Sequence, residues 1–372
     1  MADISSTQAP TSNRIASIDA LRGFDMLWIT GGEEIIHSLY RLYPNSFTHG
    51  LSMQFEHVAW AGFRFYDLIF PLFLFIVGVV LPFSITKRLE AGANRAQLYT
   101  HLVRRLVILF CLGLIYNGFL NFNFHELRIA GVLQRIAVCY FLAALVMMNT
   151  GVRGQAMTAG SVLVVYWLVM RFVPVPGVGA GVFTPEGNLS AFLDQHLVPR
   201  PFCCYEFGDN EGILSTIPAI STCLIGALAG HWLRTNRPPA RKALGLALAG
   251  VAGLLLGLVW GHWFPIIKNI WTSSFVLFAA GWSLLLLALF YWIMDVRGYR
   301  RWAFFFTVIG LNSITIYVIH AVFDFGVVAR IFVRGLIRFT GPFRPLCWSL
   351  SVVAVTWLFL LFLYRRKMFL KV

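Results

Sequence analysis

Apolar residues in this chain do not alternate with polar ones. They run in long unbroken blocks separated by short polar or aromatic-rich stretches. Ten such blocks, at roughly 18–38, 66–86, 103–120, 131–149, 156–173, 213–232, 243–261, 273–293, 303–321 and 346–364, are long enough to cross a bilayer. A helical crossing takes about 20 residues. The pattern predicts an all-α polytopic membrane protein of about ten transmembrane helices. A transmembrane β-barrel would need apolar and polar residues to alternate along each strand, and is excluded. The stretch 322–345 differs from the rest: Arg330, Arg334 and Arg338 recur every four residues, which places them on one helical face. It reads as an amphipathic helix lying at the membrane interface.

Composition sharpens this. Of 372 residues, 58% are hydrophobic and 12% charged, against roughly 25% charged in a soluble domain. A soluble enzyme, a disordered chain and a collagen-like fibre are excluded. The net charge of +14 does not imply nucleic acid here, because the bases fall in loops. Lys87, Arg88, Arg95, Arg104 and Arg105 follow the second block. Arg234, Arg237, Arg241 and Lys242 follow the sixth, Arg297, Arg300 and Arg301 the eighth, and Arg365, Arg366 and Lys367 the last. By the positive-inside rule these loops are cytoplasmic, and so are both termini. Residues 1–16 are polar and read as a disordered cytoplasmic tail without a cleavable signal; 17–372 reads as a single domain. Cys111, Cys139, Cys223 and Cys347 lie in apolar blocks and read as core fillers. Cys203 and Cys204 are adjacent in a polar loop, lack the spacing of a metal or redox site, and carry no functional expectation, though pairing of one of them elsewhere is left open.

Chemistry is expected where ionisable groups enter apolar blocks, because such groups are costly there. The first block holds Asp25, Glu33 and Glu34 beside Gly31-Gly32, so it must face the protein interior. A salt-bridge network with Arg22 or Arg135 is the alternative role for these acids. His57 precedes the second block and Asp67 opens it; an imidazole is a ready general base, and Asp67 either orients it or favours the helix start as an anion. Gln134 and Arg135 enter the fourth block, and Asn312, Ser313 and His320 lie in the ninth. No P-loop, GxSxG elbow, HExxH or metal-ligand set is present.

Several ordered stretches resemble one family. They are Ser17-Ile-Asp19-Ala-Leu-Arg22-Gly23-Phe-Asp25; His57-x-x-Trp60-x-Gly62 through Asp67-x-x-Phe70-Pro71 to Gly78; Arg128-Ile-x-Gly131-Val-Leu-Gln134-Arg135; Glu211-Gly212-Ile-Leu-x-Thr216; Lys268-Asn269-x-Trp271-Thr272-x-Ser274; and Gly310-x-Asn312-Ser313-Ile-x-x-Tyr317-x-x-His320. The chain resembles the heparan-α-glucosaminide N-acetyltransferase family over about residues 14–325. The resemblance implies a transmembrane acyltransferase fold, His57 in the place of the family's catalytic histidine, acetyl-CoA entering from the cytoplasm, and an acceptor bound outside. Where the family has an asparagine after the first conserved helix, this chain places Glu33 or Glu34.

The function expected is therefore transfer of acetyl from cytoplasmic acetyl-CoA to an amino sugar or glycan on the periplasmic side of a bacterial inner membrane. His57 would be base or acetyl carrier, and Asp67 would orient it. Gln134, Asn312 and Ser313 are candidate donors to the oxyanion or to pantetheine amides, and Arg135 a candidate for CoA phosphates. Glu33 and Glu34 are candidates for a cationic amine, and Lys268, Asn269 and His320 complete the candidate binding set. Direct transfer is favoured over a ping-pong route by proximity. No metal is expected; membrane lipid is an expected partner, and a homodimer is expected by resemblance. The rival reading is a transporter of a sugar or lipid-linked sugar, although the paired broken helices usual in transporters are not visible.

Overall fold

A computed structural model describes residues 15–370, and residues 1–14 of the expected tail lie outside them. The first apolar block begins as α1 (Ala16–Leu27), passes through a π-helical turn at Trp28–Gly32 and continues as α2 (Glu33–Leu42). The break sits at Thr30 and at Gly31, whose φ is +107°. Glycine takes this left-handed conformation without steric cost. The Thr30 hydroxyl donates to the Met26 carbonyl at 3.0 Å, occupying a group that the broken ladder frees.

After α3 (Ser46–Gln54) come the long helices α4 (Phe65–Glu90), α5 (Arg95–Tyr116), α6 (Val132–Asn149) and α7 (Val152–Phe172). A long loop follows, carrying α8 (Leu189–Leu197) and a small antiparallel pair, β1 (Cys204–Tyr205) and β2 (Gly208–Asp209). Then come α9 (Ile213–Arg234), α10 (Pro239–Gly261) and α11 (Ser273–Tyr291). The chain ends with α12 (Phe304–Leu311), α13 (Ser313–Val322), α14 (Phe325–Ile337) and α15 (Arg344–Arg365).

Among the described residues, 8 helices are long and apolar enough to cross a membrane, and 9 if α12 and α13, bent by 58°, form one crossing. The expectation of about ten differs at the first block, where the α1–α2 break and its acids keep it outside that measure. It nevertheless packs inside the bundle, α1 lying along α12. Contact there is backbone to backbone: a Cβ on Gly23 would meet the Phe306 carbonyl oxygen at 1.7 Å, and one on Gly310 the Asp19 oxygen at 1.9 Å. The α4–α9 pair is built the same way: a Cβ on Gly78 would meet the Cys223 carbonyl oxygen at 2.0 Å, and one on Gly226 the Phe75 oxygen at 2.1 Å. Small residues give membrane helices this close approach, where the hydrophobic effect between helices is weak.

Asp25 is fully buried in α1, and neither of its carboxylate oxygens has a hydrogen-bond partner among the described residues. Of the alternative salt-bridge network, no hydrogen bond from Arg22 or Arg135 reaches Asp25; the Arg22 guanidinium, whose charge acts on Asp25, lies 3.9 Å from Asp19. Cys139 and Cys223 are buried as expected, whereas Cys111 is exposed, on a face of α5 away from its buried Leu102, Leu109 and Gly113. The amphipathic segment is present as α14, with Val327, Ile331, Phe332 and Leu336 exposed.

Candidate functional site

The stretch from Phe55 to Arg64 is an irregular loop, and three other elements fix it. Gly62 donates to the Ile266 carbonyl at 2.9 Å, and Ala61 bridges Ile267, which ties the loop to the segment between α10 and α11. The Trp60 indole donates to the Phe183 carbonyl at 2.7 Å, which ties it to the loop before α8. Asp67, in the first turn of α4, accepts from the Arg64 N–H at 3.0 Å.

These ties bring His57, Asp67 and Lys268 together. The His57 Nδ1 lies 2.8 Å from Asp67 Oδ1. In the neutral imidazole this contact puts the proton on Nδ1 and leaves Nε2 as acceptor. The Lys268 Nζ sits beside the ring, 3.0 Å from Nδ1, 3.3 Å from Nε2 and 3.4 Å from Asp67 Oδ1. Asp67 is 1% exposed and His57 52%: the carboxylate is buried and paired, and the imidazole is open to a reactant. Burial pulls the Lys268 ammonium below its ordinary range, while Asp67 and Glu211 oppose that shift. The Tyr66 ring lies 4.9 Å from the imidazole, and its hydroxyl donates to Glu33 at 2.5 Å.

His57, Tyr66 and Lys268 line a cavity of about 330 Å³ with Phe70, Phe73, Tyr116, Tyr317 and Ile314. Arg128 and Glu211 also line it, as part of a charged cluster that the candidate set omitted. Arg128 makes a two-pronged pair with Asp209, at 2.7 Å from Nε and 2.5 Å from Nη2, and also reaches Glu211. Asp209 further accepts from the N–H groups of Cys203 and Glu211 at 3.1 and 2.8 Å. Asp194 in α8 accepts from the Ile213 N–H at 3.1 Å, at the start of α9; burial pushes its carboxyl up to about 6. Arg128 and Glu211 were visible in sequence as parts of ordered motifs. Asp209 gave no signal, since an acid in a polar loop has no distinguishing pattern.

Cys203 and Cys204 correct the sequence reading: they are bonded to each other, and both line the cavity. Adjacent cysteines gave no signal, because the usual spacing rules concern metals and CxxC redox sites.

The remaining candidates lie elsewhere. Arg135 is occupied at the start of α9, with its guanidinium 2.5 Å from Ser215 and 3.2 Å from Thr216 and stacked on Trp271. It and Gln134 face a second cavity, also about 330 Å³, on the other side of α6. Glu34 pairs with Arg41 and lines a different cavity from His57. Asn269 is half-buried in the turn beside Lys268 and does not line the cavity. Asn312 is buried at the α12–α13 bend, with its amide donating to the Val308 carbonyl at 3.3 Å. His320 packs on Phe325.

Ser313 lines a smaller cavity of about 70 Å³ with Arg22, Ser84, Arg105 and Tyr140. That cavity and the His57 cavity share Phe73, Leu133, Ile136 and Ile314 as walls. The two therefore abut within the bundle, His57 at one end and two arginines at the other. Among the described residues no three His, Cys, Asp or Glu side chains group to hold a metal.

Comparison with known proteins agrees with the sequence resemblance. A family model described as heparan-α-glucosaminide N-acetyltransferase, catalytic, matches residues 14–256. The heparan-α-glucosaminide N-acetyltransferase of Mus musculus is 26% identical over 374 residues, covering 86% of this chain and 55% of that protein. The Homo sapiens protein of the same name is 26% identical over 429 residues, covering 96% of this chain and 60% of that protein. The chain thus spans less than two thirds of the length of these relatives.

Proposed function

The chain belongs to the heparan-α-glucosaminide N-acetyltransferase catalytic family, and from that premise we propose that it transfers acetyl from acetyl-CoA to the amine of an amino sugar or glycan across the membrane. The observation that carries this reading is the His57–Asp67–Lys268 cluster at one end of a cavity whose other end abuts the basic pocket of Arg22 and Arg105. The donor enters from the arginine side, the cytoplasmic side by the distribution of basic loops. Its phosphates meet Arg22, Arg105 and neighbouring loop bases, and its thioester arm reaches past Phe73, Leu133, Ile136 and Ile314. The acceptor binds on the His57 side.

The acceptor amine attacks the thioester carbonyl and loses its proton to His57 Nε2. Asp67 holds Nδ1–H, which fixes the base's tautomer and stabilises the imidazolium that forms. Lys268 donates to the carbonyl oxygen as it becomes an oxyanion, a role worth several kcal/mol when the donor is preorganised (about 3–4 for one oxyanion donor). The intermediate collapses, the C–S bond breaks, and the imidazolium returns its proton to the CoA thiolate. Direct transfer is preferred to an acetyl-His57 intermediate because the two cavities abut, sharing Phe73, Leu133, Ile136 and Ile314, which brings both reactants to one place. Arg128 and Glu211, which line the cavity with Asp209 behind them, suit the hydroxyl and amine groups of the acceptor.

The test is thiol release from acetyl-CoA by purified protein in detergent, with a panel of amino sugars. Release that needs both an amino sugar and His57 is the expected outcome. A folded protein that neither binds acetyl-CoA nor releases thiol with any amino sugar contradicts the proposal and favours transport.

A further inference from the structure

On the His57 side of the bundle, next to the site but separate from it, Arg41, Arg330, Arg334 and Arg344 line a cavity of about 530 Å³ with Glu34, Ile337, Pro345 and Trp348. Four guanidinium groups face one carboxylate. Glu34 is already engaged by Arg41, which also reaches Ser38 at 3.2 Å. Arg330 lies over the Trp348 ring at 5.9 Å. Neither Arg334 nor Arg344 has an acidic partner among the described residues. Three like charges held around one hollow repel each other, and an anion in the hollow relieves that repulsion.

The position of the hollow says which anion. It lies between the first turn of α15, α2 and α14, the segment joining the end of one membrane crossing to the start of the next. Ser38 and Ser349, 3.2 Å apart, tie α2 to α15 there. Arg330 and Arg334 occupy one face of α14, while Ile331, Phe332, Leu336 and then Phe339 are exposed beside them. A helix with arginines on one face and bare apolar side chains on another belongs at headgroup depth, where Trp348 is also at home. The hollow's floor, Ile337, Pro345 and Trp348, is apolar.

We propose that this pocket binds the phosphate of an anionic membrane lipid, gripped by Arg330, Arg334 and Arg344, with the acyl chains lying along the exposed side chains of α14. The assignment is independent of the chemistry at His57. A soluble acidic glycan would satisfy the arginines equally well and would leave those apolar side chains unused.

Purified full-length protein, exchanged into phosphatidylcholine-containing detergent, is titrated with phosphatidylglycerol and read by native mass spectrometry. The expected result is one retained phosphatidylglycerol in preference to phosphatidylcholine. Arg330→Gln/Arg334→Gln/Arg344→Gln should weaken retention by roughly fivefold per arginine. Arg365→Gln/Arg366→Gln/Lys367→Gln, the same charge loss at the other end of α15, should leave it unchanged. If the triple variant does not fold, Arg344→Gln alone should show its fivefold share and Arg334→Lys should restore most of the retention lost in Arg334→Gln. Equal retention in wild type and the arginine variants overturns the proposal. So does displacement of the lipid by millimolar inorganic phosphate without lipid preference, which would make the pocket a site for a soluble anion.

Discussion

At His57 the proposal depends on the imidazole presenting Nε2 rather than Nδ1. Asp67, 2.8 Å away and held in turn by the Arg64 N–H, is the group that decides this. His57→Ala is expected to lower acetyl transfer by about 10²–10⁴-fold, the range for a lost general base. Asp67→Asn should also lower the rate while leaving the fold intact, and retention of wild-type turnover in it would remove the orienting role. Lys268 adds a pH dependence whose sign is fixed by its burial. A depressed ammonium pKa means that the charge is present below the folded value and is lost as pH rises through it. The alkaline limb of the rate profile should therefore fall below the ordinary lysine value of about 10.4, and should move upward in Lys268→Arg. Of this site, His57, Asp67 and Lys268 were legible in sequence because they sit in ordered motifs flanking apolar blocks. Tyr66 was not, since an aromatic residue at a helix start is unremarkable until its hydroxyl is found on Glu33. Arg135 shows a related limit: a cation inside an apolar block must find a partner, and sequence cannot say that its neighbours are the Ser215 and Thr216 hydroxyls and the Trp271 ring.

At the scale of elements, the blocks of apolar residues located the long helices well, because length and continuity alone determine them. Breaks inside the blocks were harder to see. Gly31 is one glycine among 32 in the chain, and only its left-handed backbone distinguishes it. The interface α1–α12 rests on backbone contact at Gly23 and Gly310. Gly310→Ala should destabilise the protein by about 1–3 kcal/mol, the cost of overpacking, seen as a lower melting temperature in detergent. The loops are held by ions instead. Arg128 is paired with Asp209, whose side chain is 0% exposed, so Arg128→Ala would strand a buried carboxylate at a cost of about 3–5 kcal/mol. A variant with unchanged melting would show that water replaces the pair.

The molecule as a whole places His57 and the arginine pair of Arg22 and Arg105 at opposite ends of two abutting cavities, with Phe73, Leu133, Ile136 and Ile314 between them. A bulky residue at that waist, Ile314→Trp, should abolish acetyl-CoA-dependent transfer while sparing acceptor binding at the His57 end, measurable by calorimetry with the amino sugar. The central claim concerns passage of the acetyl group from one face to the other, and sealed proteoliposomes test it most directly. Acetyl-CoA is supplied on one side only and glucosamine on the other. The account predicts that N-acetylglucosamine forms in the compartment opposite the donor, with matching thiol release on the donor side, and that both are lost in His57→Ala. Transfer only when both reactants share a compartment, or glucosamine movement without thiol release, would contradict it.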